Sequence, residues 1–233
     1  AEEDAALDPE SVVAQLDAAV ARTSAGLPPL APEMRRLAAL NDLVFRDLGL
    51  DGAGCDFHSP DASFLHRVLA QRTGLPIVIA LLWVELGRKL GLATAGVSFP
   101  GHFLAKVRIA EGELFTDPFN KGRVLPEPEL KERARKAGVP AWDPKLLEAA
   151  PARQVVARVL RNLKNLYAKR RDFPRAFAAA DRLLVATPES WEDVRDRGLY
   201  CIELGGLPAA RRDLERYLAA RPQAHDADAL RER

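Results

Sequence analysis

The chain has 233 residues, 34 of them Lys or Arg and 33 Asp or Glu, for a formal net charge of +1. That length supports one large or two modest domains with real cores, and the near-neutral balance supplies no global attraction to nucleic acid or to an anionic membrane. Two cysteines, Cys55 and Cys201, without any clustered metal-ligand spacing, describe a reduced-compartment protein with no disulfide scaffold and no expected metal or other cofactor.

The N-terminal stretch is acidic and lacks a basic-then-apolar leader, so the expected compartment is the cytoplasm. Asp8-Pro9-Glu10 reads as the cap and first turn of a short helix within residues 1–25, with Val12, Val13, Leu16 and Val20 on one face. A proline-rich connection, Gly26 to Pro32, leads to a second helix from Glu33 to about Leu48, marked by Leu37, Leu40, Val44 and Leu48 and ended by Gly49. Asp51 to Pro60 reads as loop. Asp61-Ala62-Ser63 is the expected cap of a third helix that buries Phe64, Leu65, Val68 and Leu69 and stops at Gly74.

Pro76 suits the first turn of the next helix, and the run Ile77 to Val84 is apolar nearly all round. That predicts a central, buried helix. The run is also far too short to cross a bilayer. From Ala93 the period changes. Thr94–Phe99, His102–Ile109 and Glu113–Phe115, joined by Pro100-Gly101 and Glu111-Gly112, predict a small antiparallel sheet packed on that helix. Pro126 to Pro151 is a charged, proline-punctuated connector with one expected helix from Glu127 to Ala137.

The last third repeats itself. Pro188 and Pro222 are 34 residues apart, as are Ala176 and Ala210. Leu160, Leu163, Tyr167, Ala176, Ala180 and Leu183 occupy the apolar or small positions of one unit; Val194, Gly198, Cys201, Ala210, Leu214 and Tyr217 occupy those of the next. A helix-turn-helix with this period is the tetratricopeptide repeat, whose small residues let paired helices approach closely. The predicted fold class is therefore α+β, with a core over residues 1–150 followed by helical repeats over 151–233. Charge follows the same division: residues 1–60 carry 11 acidic and 4 basic side chains, residues 152–233 carry 12 and 17. Such polarity ordinarily marks solvated surface.

His102 and Asp117 are the chemistry-bearing pair. A thiol hydrolase or acyltransferase needs a Cys at a helix N-terminus, where the helix dipole lowers its pKa, a His base beside it, and an Asp that orients the His. Adjacent antiparallel strands bring His102 and Asp117 together. The nucleophile belongs at the start of the central helix, and there the chain reads Gly74-Leu75-Pro76. Proline has neither a nucleophilic side chain nor a backbone N–H. Cys55, in a loop, is the alternative nucleophile. Its ordinary reading is a loop thiol, as turn or cap duty is for Ser59, Ser63 and Thr73, and packing for Cys201. Trp83, Trp142 and Trp191 read as packing anchors. His58 and His66 do not make a metal spacing.

Gly74-x-Pro76, followed by Ala80 and later Leu90-Gly91, resembles the Gly-x-Cys helix of the transglutaminase-like superfamily, with Pro76 at the Cys position. His102 and Asp117 match its His and Asp. The fuller resemblance is to the bacterial transglutaminase-like family with C-terminal tetratricopeptide repeats. It is carried by Ser63–Leu69, Arg72–Ile77, Gly96–Leu104, Asp117-Pro118-Phe119, Arg161–Tyr167 and Arg195–Leu199, and covers about residues 30–225. It implies a papain-like α+β core and, for this branch, no established reaction.

The pattern favours a non-catalytic, interaction or regulatory protein whose partner is a protein or peptide, not nucleic acid or membrane. Arg161, Lys164 and Arg195 on the repeats are the candidate binding side chains. The alternative is a hydrolase or acyltransferase that pairs His102 and Asp117 with a displaced nucleophile such as Cys55.

Overall fold

The structure is a computed structural model that describes residue 4 and residues 7–232. It divides into two compact units, Ala1–Ala150 and Pro151–Arg233.

In the first unit, Asp8 caps α1 (Pro9–Ala25) by accepting the Glu10 N–H at 3.0 Å, and Leu16, Ala19 and Val20 turn inward. Helix α2 (Glu33–Asp42) does not continue regularly to Leu48. It passes into a π-helical turn over Leu43–Asp47, closed by the Leu48 N–H on the Leu43 carbonyl. Leu43, Val44 and Leu50 are all buried there.

The expected cap at Asp61-Ala62-Ser63 is also corrected. The Ser59 hydroxyl accepts the Asp61 N–H and starts a 3-10 turn over Pro60–Ser63. Helix α3 (Leu65–Gln71) begins only after the extended Phe64 and ends at Arg72, a left-handed residue, not at Gly74. Gly74 serves close packing instead: a Cβ there would lie 2.5 Å from Val68.

Helix α4 (Pro76–Lys89) is buried from Ile77 through Gly87 except at Leu81 and Glu85. The Trp83 indole N–H, wholly enclosed, donates to Asn41 Oδ1 at 2.8 Å. Four antiparallel strands follow in sequential order: β1 (Ala93–Val97), β2 (Leu104–Ile109), β3 (Gly112–Asp117) and β4 (Arg123–Val124). β1 stops short of Phe99 and β2 starts after His102, because the His102 N–H closes the Pro100-Gly101 turn on the Phe99 carbonyl. The register pairs Thr94 with Val107 and Ala105 with Thr116. Alternation then puts these four on one face, and Val97, Leu104, Phe115 and Asp117 on the other.

The first face lies on α4. Thr94 donates its hydroxyl to the Val84 carbonyl at 2.7 Å, and a Cβ on Gly87 would meet Thr94 at 2.8 Å. On the second face Val97, Phe99 and Leu104 pack with Leu125 and with Leu130 and Ala134 of α5 (Glu127–Lys136). The sheet is thus held between α4 and α5.

The second unit is α6 (Ala152–Lys169), α7 (Phe173–Ala186), α8 (Trp191–Glu203) and α9 (Leu207–Ala220), each packed on the next, then a short α10 (Ala227–Arg231) that the repeat pattern did not announce. Gly198 allows α8 and α9 to close up, since a Cβ there would sit 3.0 Å from Leu214. Ion pairs link α6 to α8. The Lys164 ammonium, 4% exposed, meets Asp193 at 2.6 Å and also Asp196. Arg161 reaches the other Asp193 oxygen at 2.7 Å.

Breaking a buried pair from one side strands the remaining charge. Lys164→Met is expected to lower the stability of the second unit by about 3 kcal/mol, read by urea denaturation. Lys164→Met combined with Asp193→Leu should recover most of that loss, and a double variant no more stable than the single would contradict it.

Candidate functional site

The site is built around Asp117, the last residue of β3, whose side chain is 0% exposed. One carboxylate oxygen lies 2.9 Å from His102 Nε2. The other accepts Asn120 Nδ2 at 2.7 Å and the Arg133 guanidinium at 3.0 Å. Asn120 reaches back because Pro118–Asn120 form one 3-10 turn, which Lys121 and Gly122 close in left-handed conformations while the Gly122 N–H donates to the Asp117 carbonyl. A Cβ on Gly122 would lie 2.6 Å from Asn41 Oδ1, the oxygen that also holds Trp83. Arg133 arrives from α5. Its Nε donates to Glu129 Oε1 at 3.0 Å, one turn earlier, and Arg123 donates to the same oxygen.

Burial is the largest influence on Asp117 and opposes its charge. The His102 bond and charge, with Asn120 and Arg133, outweigh burial and hold the carboxyl down to about 2. Asp117 is therefore ionised at neutral pH and only accepts hydrogen bonds, so His102 Nε2 carries the proton between them.

Pro76 occupies the first turn of α4, behind the extended Leu75, whose N–H is taken by the Ala62 carbonyl. Helix α4 packs on the Pro118–Asn120 turn. A loop over residues 51–57 spans the remaining distance. Its Asp51 N–H donates to the Arg72 carbonyl, and Cys55 faces Thr73, both just ahead of α4. At its other side a Cβ on Gly52 would fall 2.3 Å from the Phe119 carbonyl oxygen, and the Phe119 ring stands edge-on to His102 at 6.0 Å. The structure thus brings His102 and the 51–57 loop against Phe119, two residues past Asp117, on a turn that helix α4 also packs against.

The surroundings of Cys55 favour its protonated form. Burial pushes its thiol upward, Asp56 adds to that, and Thr73 opposes both least. Of the hydroxyls read as turn or cap residues, Ser59 is a cap, whereas the buried Ser63 Oγ has no hydrogen-bond partner among the described residues. Arg161, Lys164 and Arg195 are all engaged inside the repeats. Arg161 and Lys164 hold Asp193, and Arg195 holds Asp196 at 2.7 Å and Asp226 at 2.8 Å. Lys164 is too enclosed to meet a ligand, which corrects its reading as a binding side chain. No group of three or more His, Cys, Asp or Glu side chains among the described residues is arranged to hold a metal ion. Nor is any single helix there long and apolar enough to cross a membrane.

The parts that sequence reasoning missed are Arg133, Asn120 and the role of Phe119. Asn120 sits three residues past Asp117, a spacing that a turn after Asp-Pro makes readable. Nothing in the spacing of Arg133 pointed to Asp117.

Asp117 generates a pH prediction. Its folded value lies below the unfolded 3.8, so its stabilisation is complete above about pH 4 and is lost as pH falls toward 2. The loss expected is about 2 kcal/mol, measured by urea denaturation across that range. Arg133→Met should shrink the acid-dependent part, and an unchanged pH profile in that variant would show that Arg133 does not support the charge.

Comparison with known proteins places this geometry. The profile of the transglutaminase-like superfamily matches residues 10–161, and that of the tetratricopeptide repeat matches residues 163–233. The chain is 41% identical over 201 residues to a UPF0162 protein of Xylella fastidiosa (strain Temecula1), covering 84% of this chain and 72% of that one. Protein SirB1 of Salmonella typhimurium is 24% identical over 220 residues, 93% of this chain and 81% of its own. F-box only protein 21 of Homo sapiens is 34% identical over 97 residues, 38% of this chain and 15% of its own. No solved structure matches the chain. With a sheet between two helices, a His–Asp pair at its end and a helical repeat region later in the sequence, the chain belongs to the transglutaminase-like superfamily, in a form that carries C-terminal tetratricopeptide repeats.

Proposed function

We propose that the protein is a non-catalytic interaction or regulatory protein of the cytoplasm. Its transglutaminase-like core presents the His102–Phe119 face, and its repeats extend the surface available to a protein or peptide partner. The observation that carries this reading is a proline, with no thiol, at the first turn of α4 in a chain that keeps the His102–Asp117 pair. A helix-starting proline keeps the backbone where a thiol would be delivered while removing both the sulfur and the N–H. The tetratricopeptide match supports a role through protein contacts.

A hydrolase or acyltransferase using Cys55 has one point in its favour: the loop that carries Cys55 reaches Phe119 beside His102. The direction of the thiol's shift opposes it. A nucleophile beside an imidazole is expected to ionise more easily, and this one ionises less easily.

Installing the missing atom tests the proposal. Pro76→Cys should create a thiol that iodoacetamide labels at neutral pH at a rate that falls by about tenfold or more when His102→Ala is added. In the wild type, Cys55 labelling should climb only at alkaline pH and be indifferent to His102→Ala, measured by peptide-resolved mass spectrometry. His102-dependent labelling of Cys55 at neutral pH, or thioester cleavage lost in Cys55→Ala, would sink the non-catalytic reading.

A further inference from the structure

Residues 51–57 do more than fill the space between two elements. They are tied at both ends of the face described above, by contacts of different kinds. On the α4 side the tie is backbone: the Asp51 N–H on the Arg72 carbonyl at 2.9 Å. On the β3 side it is ionic and aromatic. The Asp51 carboxylate meets the Lys121 ammonium at 3.0 Å, while its other oxygen accepts the Ala53 N–H at 2.9 Å. Gly52 lies flat against Phe119, with no room for a side chain. The Phe57 ring, in a residue 55% exposed, leans on Phe119 with centroids 5.9 Å apart.

Two further features fit a segment that can move as a piece. Gly49 and Gly54 both hold left-handed φ values, 67° and 77°, and nothing lies within 4 Å of where a Cβ on Gly54 would be. Apart from Gly52, the contacts on the β3 side are of the weak kind. Exposed ion pairs and half-exposed aromatic pairs contribute little each, whereas the core under the loop is continuous apolar packing.

We propose that the 51–57 loop is a latch over the His102–Phe119 face. It pivots beyond the buried Leu50, whose N–H the Val44 carbonyl holds, and is held shut by the Asp51–Lys121 pair and the Phe57–Phe119 contact. Shut, it covers one flank of Phe119 and leaves the His102 side chain 21% exposed. Opened, it uncovers the Phe119 ring, whose other neighbour is His102. That would let a polypeptide segment contact the site without any change in the sheet. The latch does not depend on whether the site is catalytic, since the same opening would admit a substrate or a non-reacting partner.

The experiment reads loop and site separately in the full chain. Hydrogen exchange at the Asp51 and Cys55 amides reports the loop, and carbethoxylation of His102 by diethyl pyrocarbonate, quantified by peptide mass spectrometry, reports the face. Lys121→Ala should speed exchange at Asp51 by up to about fivefold, and Phe57→Ala by up to about tenfold. His102 modification should rise by the same factor in each. High salt on the wild type should mimic Lys121→Ala, because it screens the exposed pair without touching the sequence. Exchange at Val84 and Val107 should stay slow throughout, which shows that α4 and the sheet are intact. Loop exchange that is indifferent to both variants and to salt would overturn the latch. So would faster loop exchange with His102 modified at the wild-type rate, because the loop would then move without gating the face.

Discussion

The first unit depends on one ionised carboxylate with no access to water. Removing a carboxylate from solvent without replacing its hydration is so costly that an unsupported one would be protonated. Asp117 stays charged because three donors from three places converge on it: His102 ahead of β2, Asn120 from the following turn and Arg133 from α5. The local oddities follow from that requirement. Lys121 and Gly122 are left-handed so that the turn can fold Asn120 back, and Glu129 sits one helical turn before Arg133 to hold its guanidinium in line. The same hub joins the end of β3 to the start of β2 and to α5. The His–Asp contact is therefore a fastening as well as a potential proton relay, and its presence does not by itself demand a reaction.

The start of α4 shows the other half of that reasoning. Leu75 is extended and donates its N–H to Ala62, and the first helical bonds of Val78 and Ile79 fold onto the Leu75 carbonyl. At the position between, a fixed φ near −65° suits the geometry and an N–H would have no partner within the helix. Proline satisfies the backbone at no cost to the fold. Proline brings neither an ionisable side chain nor a backbone N–H to that position. The nearby thiol at Cys55 lies off the helix, next to Asp56, in surroundings that favour its proton.

Periodic features were legible from residues alone. The all-round apolar run of α4, the change to a period of two after Ala93 and the 34-residue spacing of small and apolar positions each carry their own signal, and each element formed. Aperiodic features were not. The π-turn at Leu43–Asp47 inserts a residue without disturbing the Leu37, Leu40, Val44 and Leu48 spacing that suggested one helix. The two-residue β4 and the five-residue α10 are shorter than any window that could reveal them. His102 and Asp117 were readable because a turn between neighbouring strands sets their distance. Arg133 was not, because its approach depends on how α5 crosses the sheet. The partners of the repeat cations were hidden for a related reason. Arg161, Lys164 and Arg195 look like a solvated basic face until helix pairing brings Asp193, Asp196 and Asp226 against them.

The two units meet the same problem with the same device. Asp117 and Asp193 are each enclosed, each held by an arginine and a second cationic or polar donor, and each placed where elements distant in sequence meet. Apolar residues of equal volume would serve stability as well or better, since desolvation consumes much of what a buried pair returns. What they would not supply is direction. An apolar contact between α6 and α8 tolerates sliding by a turn, whereas Lys164 between Asp193 and Asp196 does not. In a helical stack of small, repeated positions, where neighbouring registers bury similar area, a charge that must find its partner selects one register. The same holds at the sheet, where Arg133 fixes how far α5 slides along the face that carries Asp117. In each unit a few buried ions thus select how the elements around them are aligned.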